Sequence, residues 1–212
     1  MKTSLIITAY HVDETMAQLT RNCLDSLEYG RPDEVIVVDD GSPQFYRFRG
    51  VDKHIIRGTN GGFPECANTG WEGATGDILI LSNNDIQYTP GWLEGILEPF
   101  KQGYDIAHIR VSDADGMSTE DGITEDDYFG SLWAQTREVY EKLGGFDERF
   151  KKGTFEDKDY FIRAKKAGFK IGKNNAAVVE HIGRATMDKL YPEREDFHEN
   201  MARFKDKHGF VL

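Results

Sequence analysis

Four apolar residues, Ile78-Leu79-Ile80-Leu81, stand between Gly76-Asp77 and the polar run Ser82-Asn83-Asn84-Asp85. A short aliphatic run bounded by turn residues reads as a strand buried on both faces. Such a strand needs a layer above it and another below, which restricts the chain to an α/β arrangement. In an open sheet of that kind, ligands bind just beyond the carboxyl ends of the strands, and Asp85 stands there. Taken alone, Asn83-Asn84-Asp85 reads equally well as a plain polar turn.

The flanking sequence repeats the pattern. Ser4-Leu5-Ile6-Ile7 is a first strand, ending at Thr8-Ala9-Tyr10. Asp13 can cap a helix in which Met16, Leu19, Cys23, Leu24 and Leu27 recur at helical spacing, with Gly30 and Pro32 closing it. Glu34-Val35-Ile36-Val37-Val38 is a second buried strand, ending at Asp39-Asp40-Gly41-Ser42, and His54-Ile55-Ile56 is a short third. Asn60-Gly61-Gly62-Phe63-Pro64 turns into a helix that presents Cys66, Ala67, Gly70 and Trp71 to the sheet, with Pro64 suited to the first helical position. Leu93, Ile96, Leu97 and Phe100 mark an amphipathic helix begun near Pro90. This alternation predicts an α/β sandwich with a largely parallel sheet.

Further along, Asp105-Ile106-Ala107-His108-Ile109 and Ser131-Leu132-Trp133-Ala134 read as strands. The acid-rich stretch from Ser112 to Asp127 reads as a mobile loop, and Asp113-Ala114-Asp115 within it as a solvated turn rather than a metal pair. Thr136 to Leu143 is a short helix stopped at Gly144-Gly145. A second helix follows Glu156-Asp157-Lys158-Asp159 through Phe161, Ile162 and Ala164 to Gly168. Ala177-Val178-Val179-Glu180-His181 is the last strand, and Phe197, Met201 and Phe204 stripe a final helix.

With 212 residues, no Pro- or Gly-rich linker and no repeat, the chain is expected to form one domain. The formal net charge of -11 disfavours nucleic acid and anionic membranes as partners. There is no apolar run long enough to span a bilayer, and the start lacks a signal-peptide pattern. Cys23 and Cys66 read as buried thiols, which suits a reducing, cytoplasmic setting.

Polar clusters at the ends of apolar segments carry the chemistry: Thr8-Ala9-Tyr10, Asp39-Asp40-Gly41-Ser42, Asn83-Asn84-Asp85, Glu156-Asp157 and the single His181. Each has a plainer reading. Tyr10 could be an edge aromatic and Asp39-Asp40 a turn. Glu156, Asp157 and Asp159 could simply favour a helix N-terminus, and His181 could be a satisfied structural histidine.

Their joint order resembles family 2 glycosyltransferases, inverting enzymes of the GT-A fold. The resemblance rests on Ser4–Tyr10, Val35–Ser42, Asn60-Gly61-Gly62-Phe63 with Asn68-Thr69-Gly70, and Gly76–Asp85. It continues in Gly144-Gly145-Phe146-Asp147-Glu148, Phe155-Glu156-Asp157-Lys158-Asp159 and His181-Ile182-Gly183, so that it covers about residues 3 to 185. It implies a single α/β/α sandwich with a mostly parallel, Rossmann-like mixed sheet, in which a nucleotide-binding half of about residues 1–100 precedes an acceptor and catalytic half of about 101–212. It implies that Thr8, Ala9, Tyr10, Asp39 and Asp40 hold the nucleotide, with Asn60, Gly61, Asn83 and Asn84 near it. Asp85 corresponds to the metal-binding carboxylate of the family's Asp-x-Asp motif, whose first position is here Asn83, a departure that lowers the charge offered to the metal. His181 matches a position that completes the metal shell, Asp157 matches the catalytic base, and Glu156 is expected to contact the acceptor.

The chemistry independently suits these residue types. A nucleoside diphosphate leaving group concentrates negative charge, and an acidic chain without a Walker loop or an Arg cluster needs Mg2+ or Mn2+ to neutralise it. One base then takes the acceptor proton as the hydroxyl attacks the anomeric carbon from the opposite face, so no protein nucleophile is required. The expected function is hexose transfer from UDP-glucose or UDP-galactose, or next from dTDP-rhamnose, to a glycan hydroxyl, by an enzyme that could be one module of a longer protein. Two other readings stay open. A sugar nucleotidyltransferase would carry a Gly-rich basic loop after the first strand, where Thr8-Ala9-Tyr10-His11 stands. A catalytically silent carbohydrate-binding domain has no need of Asp85, Asp157 and His181.

Overall fold

The computed structural model describes residues 1–112, 122–125, 131–182 and 195–209. Asp113-Ala114-Asp115 and Gly183 lie outside the described residues. Each of the first strands ends where polar residues begin. They are β1 (Thr3–Ala9), β2 (Glu34–Asp39), β3 (Lys53–Ile56) and β4 (Ile78–Asn83). Between them run α1 (Glu14–Asp25), continued by a 3-10 turn over Ser26–Tyr29, and α2 (Phe63–Gly73). Asp13 caps α1 by accepting the Met16 N–H at 3.1 Å, as its position predicts.

The later elements are β5 (Ile86–Gln87), α3 (Trp92–Lys101), β6 (Ile106–Val111), β7 (Ile123–Glu125), β8 (Leu132–Thr136) and α4 (Arg137–Leu143). Then come α5 (Glu156–Lys166), β9 (Ile171–His181) and α6 (Glu195–His208). The sheet order is β3-β2-β1-β4-β8-β6-β9-β5, with β7 paired to β9. Strands β3, β2, β1 and β4 are all parallel. The second half is mixed, because β8 runs antiparallel to both β4 and β6, while β6 and β9 are parallel.

Alternation along β1, β2 and β4 separates two cores. Leu5, Ile7, Val35, Val37, Ile78 and Ile80 pack towards α1 and α3. Ile6, Ile36, Val38, Leu79 and Leu81 pack towards α2, α4 and α5. This is the double burial that an unbroken apolar run requires. Gly70 lets α2 lie close on β1, since a Cβ there would stand 2.2 Å from Ile6 Cγ2. Trp71, Trp133, Phe146 and Tyr160 fill the second core, with the Trp71 and Phe146 rings 4.8 Å apart. A third, smaller cluster joins Phe150 and Phe155 to Phe204 of α6. Cys23 and Cys66 are buried free thiols, and burial pushes the Cys23 thiol up to about 12.

Three differences from the sequence reading have physical causes. Strand β9 begins at Ile171 rather than Ala177. Its first half is polar because Asn174 donates to Gly95 O at 2.9 Å and Asn175 to Thr124 Oγ1 at 3.1 Å. Strands β5 and β7 have two and three residues, too short to show a period.

Candidate active site

Parallel strands bring their carboxyl ends to one edge of the sheet, and the register fixes which residues meet there. Ala9 pairs with Asp39, and Thr8 pairs with both Val38 and Asn83. Because β8 is antiparallel to β4, its first residues reach the same edge, and Ser131 O accepts the Asn83 N–H at 2.9 Å. Strand β9 ends there too, with His181 opposite Ile86.

At the β2 end, the two carboxylates are held differently. Asp39 accepts the Ser42 N–H at 2.7 Å, and its other oxygen lies 3.6 Å from His11 Nδ1. Burial works to raise its pKa, but hydrogen bonds from His11 and Ser42 outweigh it and hold the group below the usual value. Asp40 accepts the N–H groups of Gly61 and Gly62 at 3.1 and 2.8 Å, and forms an ion pair with Arg57, whose Nε lies 2.9 Å away. Burial nevertheless raises its pKa, against these two donors and the Arg57 charge. The Asn60 side chain also accepts the Gly62 N–H, at 3.0 Å. The turn at Asn60-Gly61-Gly62 is thus tied to the end of β2.

Thr8 and Ala9 are buried in the sheet, and Tyr10 is half-buried just past β1. Asn84 is buried and donates to Thr20 Oγ1 of α1 at 2.9 Å. Thr20 in turn meets His11 Nε2 at 2.8 Å. Asp39, His11, Thr20 and Asn84 therefore form one chain of polar contacts running beneath the edge. Asn84 braces the turn through α1, and Asp85 follows it.

Asp85 is 6% exposed, and its Oδ1 lies 3.1 Å from His181 Nε2. Ser131 Oγ holds the other ring nitrogen, Nδ1, at 3.1 Å. A carboxylate oxygen and an imidazole nitrogen facing one another, with the far nitrogen fixed, form a donor set that suits Mn2+ or Mg2+. No group of three or more His, Cys, Asp or Glu gathers round one point among the described residues. The rest of a coordination shell would have to come from a ligand or water.

Glu156 and Asp157 open α5. Glu156 is buried, and its carboxylate accepts the Thr154 N–H. Burial and the neighbouring Asp157 charge both push its pKa up. Burial raises Asp157 as well, although the Lys158 N–H donates to it at 2.7 Å. The segment before α5 lies against the Asn60-Gly61-Gly62 turn. Gly62 has φ +89, and a Cβ there would stand 2.8 Å from the backbone of Lys152. Only a glycine permits that approach.

The structure thus brings Thr8, Ala9, Tyr10, Asp39, Asp40, Asn60, Gly61, Asn83, Asn84, Asp85 and His181 to one edge, with the start of α5 packed against its turn. A cleft of about 510 Å³ lined by Glu65, Phe146, Asp147, Glu148, Arg149, Lys151 and Arg203 contains none of these residues. His11, Thr20, Arg57 and Ser131 are residues of this edge that the sequence reading did not single out. Only the adjacency of His11 to the Thr8–Tyr10 cluster could have pointed to any of them.

Known proteins share this architecture. The chain is 32% identical over 117 residues to a dolichol-phosphate mannosyltransferase of Pyrococcus furiosus, covering 50% of this chain and 32% of that protein. The chain therefore spans about a third of that relative's length. Among solved structures, GalNAc-T7 with UDP, GalNAc and Mn2+ superposes with a TM-score of 0.77 at 14% identity, over 97% of this chain and 48% of that one. The mannosyltransferase PcManGT of Pyrobaculum calidifontis, in complex with GDP-Man and Mn2+, does so with a TM-score of 0.66 at 17% identity, over 100% and 66%. These likenesses show a GT-A glycosyltransferase fold. The sequence model described as Glycosyl transferase family 2 matches residues 4–176, and with most of its length so matched the chain belongs to that family.

Proposed function

We propose that the chain transfers a hexose from a nucleotide-sugar donor to an acceptor hydroxyl with inversion, in a metal-dependent single displacement. The observation that carries this reading is the Asp85–His181 pair, 3.1 Å apart at the edge where the ends of β1, β2 and β4 meet. Tyr10, Asp39 and Asp40 flank the base and ribose, and the Asn60-Gly61 turn borders the nucleotide. Asp85 and His181 would hold a Mg2+ or Mn2+ ion, which when bound neutralises the diphosphate charge.

The acceptor oxygen forms its bond to the anomeric carbon as the bond from that carbon to the diphosphate oxygen breaks. The nucleoside diphosphate leaves with the bonding electron pair. Asp157 takes the acceptor proton, and a raised pKa in a half-buried carboxylate suits a base that must hold it. Glu156 orients the acceptor. UDP-glucose or UDP-galactose is the first donor class to test and dTDP-rhamnose the second, with GDP-mannose added because a fold neighbour carries it.

A glycan hydroxyl is the first acceptor class. A polyprenyl phosphate, whose phosphate oxygen would attack in place of a hydroxyl, is the second, favoured by the name of the Pyrococcus relative. No helix among the described residues is long and apolar enough to cross a membrane.

The test is calorimetry of UDP and UDP-sugars with Mn2+ and with chelator, on the wild type and Asp85→Ala. Binding should weaken at least tenfold, about 1.4 kcal/mol, when either the metal or the carboxylate is removed. Binding equal in all four conditions would overturn the metal assignment. Transfer of a nucleotidyl group from a nucleoside triphosphate to a sugar phosphate would overturn the reaction class.

A further inference from the structure

We propose that helix α6, through the fully buried Asn200, is the device that positions the base-bearing start of α5. The inference rests on the reading of Asp157 as the base. It concerns a part of the chain, residues 195–208, that lies beyond the family match at residue 176.

The segment leading into Asp157 is not self-supporting. Lys152 and Phe155 both have positive φ, 58° and 69°, in a region costly for residues with a Cβ. Such conformations cost about 1–3 kcal/mol each and persist only where the surroundings enforce them. Phe155 is also the N-cap of α5, and its side chain supplies no cap. Something outside the segment must hold it.

Helix α6 grips it on both sides of Asp157. Asn200 Nδ2 donates to Lys151 O and to Thr154 Oγ1, both at 2.9 Å. Asn200 Oδ1 accepts from Arg203 Nη1 at 3.1 Å, and the same nitrogen donates to Arg149 O at 2.5 Å. Asp196 pairs with Lys152 Nζ at 2.9 Å. The ring of Phe155 lies between Phe197 and Phe204, 5.3 and 5.4 Å away. Beyond Asp157, the fully buried Asp159 receives Lys207 Nζ at 2.7 Å and His208 Nε2 at 2.9 Å. Packing alone would be served by an apolar residue at position 200, since a buried amide gains nothing there without partners. Its two donors instead go to the backbone and hydroxyl of the segment that sets the angle of α5. Thr154, held by one of them, also donates its N–H to Glu156.

The test compares Asn200→Ala with Met201→Ala, which thins the α6 core but leaves the polar grip intact. Turnover, read as UDP release from UDP-glucose or UDP-galactose with Mn2+, should fall about ten- to a hundredfold in Asn200→Ala, the scale of loss from an ångström-sized misplacement. UDP affinity and donor KM should stay within about twofold of wild type. Amide exchange over residues 150–157 should rise in Asn200→Ala, a readout that needs no turnover. If Asn200→Ala does not fold, Asn200→Leu keeps a similar size, removes the amide's hydrogen bonds without adding a charge and serves the same comparison. The proposal is overturned if a folded Asn200 variant keeps wild-type turnover, if Met201→Ala loses as much turnover, or if exchange over 150–157 is unchanged. An Asp157→Asn variant with full activity would overturn the base reading instead, leaving the exchange result to judge the clamp.

Discussion

Thr20→Val should expose how much the polar chain beneath the sheet edge contributes. Thr20 is fully buried on α1, with His11 Nε2 and Asn84 Nδ2 at 2.8 and 2.9 Å from its hydroxyl. Every group is satisfied if Asn84 donates to Thr20, Thr20 donates to His11 Nε2, and His11 Nδ1–H faces Asp39 and Ser42. Valine keeps the shape and strips both neighbours of their partner at once. Leaving a buried polar group unsatisfied costs about 1–3 kcal/mol for each of the two neighbours, and the added methyl returns roughly 1 kcal/mol, for a net loss of about 1–5 kcal/mol.

In a chain of this size that loss corresponds to roughly 2–20 °C in Tm. Urea unfolding followed by tryptophan fluorescence measures it, and the slope of the transition should not change if the native state stays compact. Thr20→Ser keeps the hydroxyl and loses one methyl, so it should cost only about 1 kcal/mol. Asn84 directly precedes Asp85, so Thr20→Val should also weaken UDP binding in the presence of Mn2+. A valine variant within about 0.5 kcal/mol of wild type would refute the reasoning, as would a serine variant equally impaired, because neither outcome fits a cost that comes from orphaned partners.

Asp157→Asn should leave UDP binding nearly unchanged and lower transfer by about 10²–10⁴-fold, measured by initial rates with saturating donor. Because burial raises both Glu156 and Asp157, the wild-type rate should fall with decreasing pH at a point above the ordinary carboxylate range, and a profile flat down to pH 4 would contradict this. Glu34 offers a stability counterpart. Burial would raise it, but Lys53 at 2.8 Å, with Ser4 and Thr75, holds it down to about 2. A depressed carboxylate stabilises above its unfolded pKa of about 4.3 and loses that contribution as pH falls towards the folded value. Thermal melts should therefore decline from about pH 4.5 to about 2, less steeply in Glu34→Gln.

The parallel half of the sheet was legible because burial on both faces leaves a signature in sequence. Leu5, Ile6, Ile7, Val35 to Val38 and Ile78 to Leu81 have no polar interruption, and each run stops where the strand meets the edge. The start of β9 carries no such signature. Its Asn174 and Asn175 are buried polar residues satisfied by Gly95 and Thr124, both distant in sequence. Arg57 was hidden for the same reason. Its role lies in contacts to Asp40, Glu65 and Thr69, none of which a spacing rule connects.

The two halves of the candidate site also differ in how they are held, and this bears on where the chain tolerates change. Asp39, Asp40 and Asp85 stand at or just past strand ends, so the ladders of β1, β2 and β4 fix them through backbone pairing. Asp157 starts a helix, and the residues before it adopt conformations that backbone pairing does not enforce. Its position depends on side chains of α6 and on the contact between Gly62 and Lys152. A substitution at Asn200 therefore reaches Asp157, the proposed base, without touching Asp39, Asp40 or Asp85, whereas one in β1 or β4 disturbs the proposed nucleotide and metal positions together. Donor affinity and turnover should accordingly separate by element, with α6 variants lowering turnover and strand-edge variants lowering affinity.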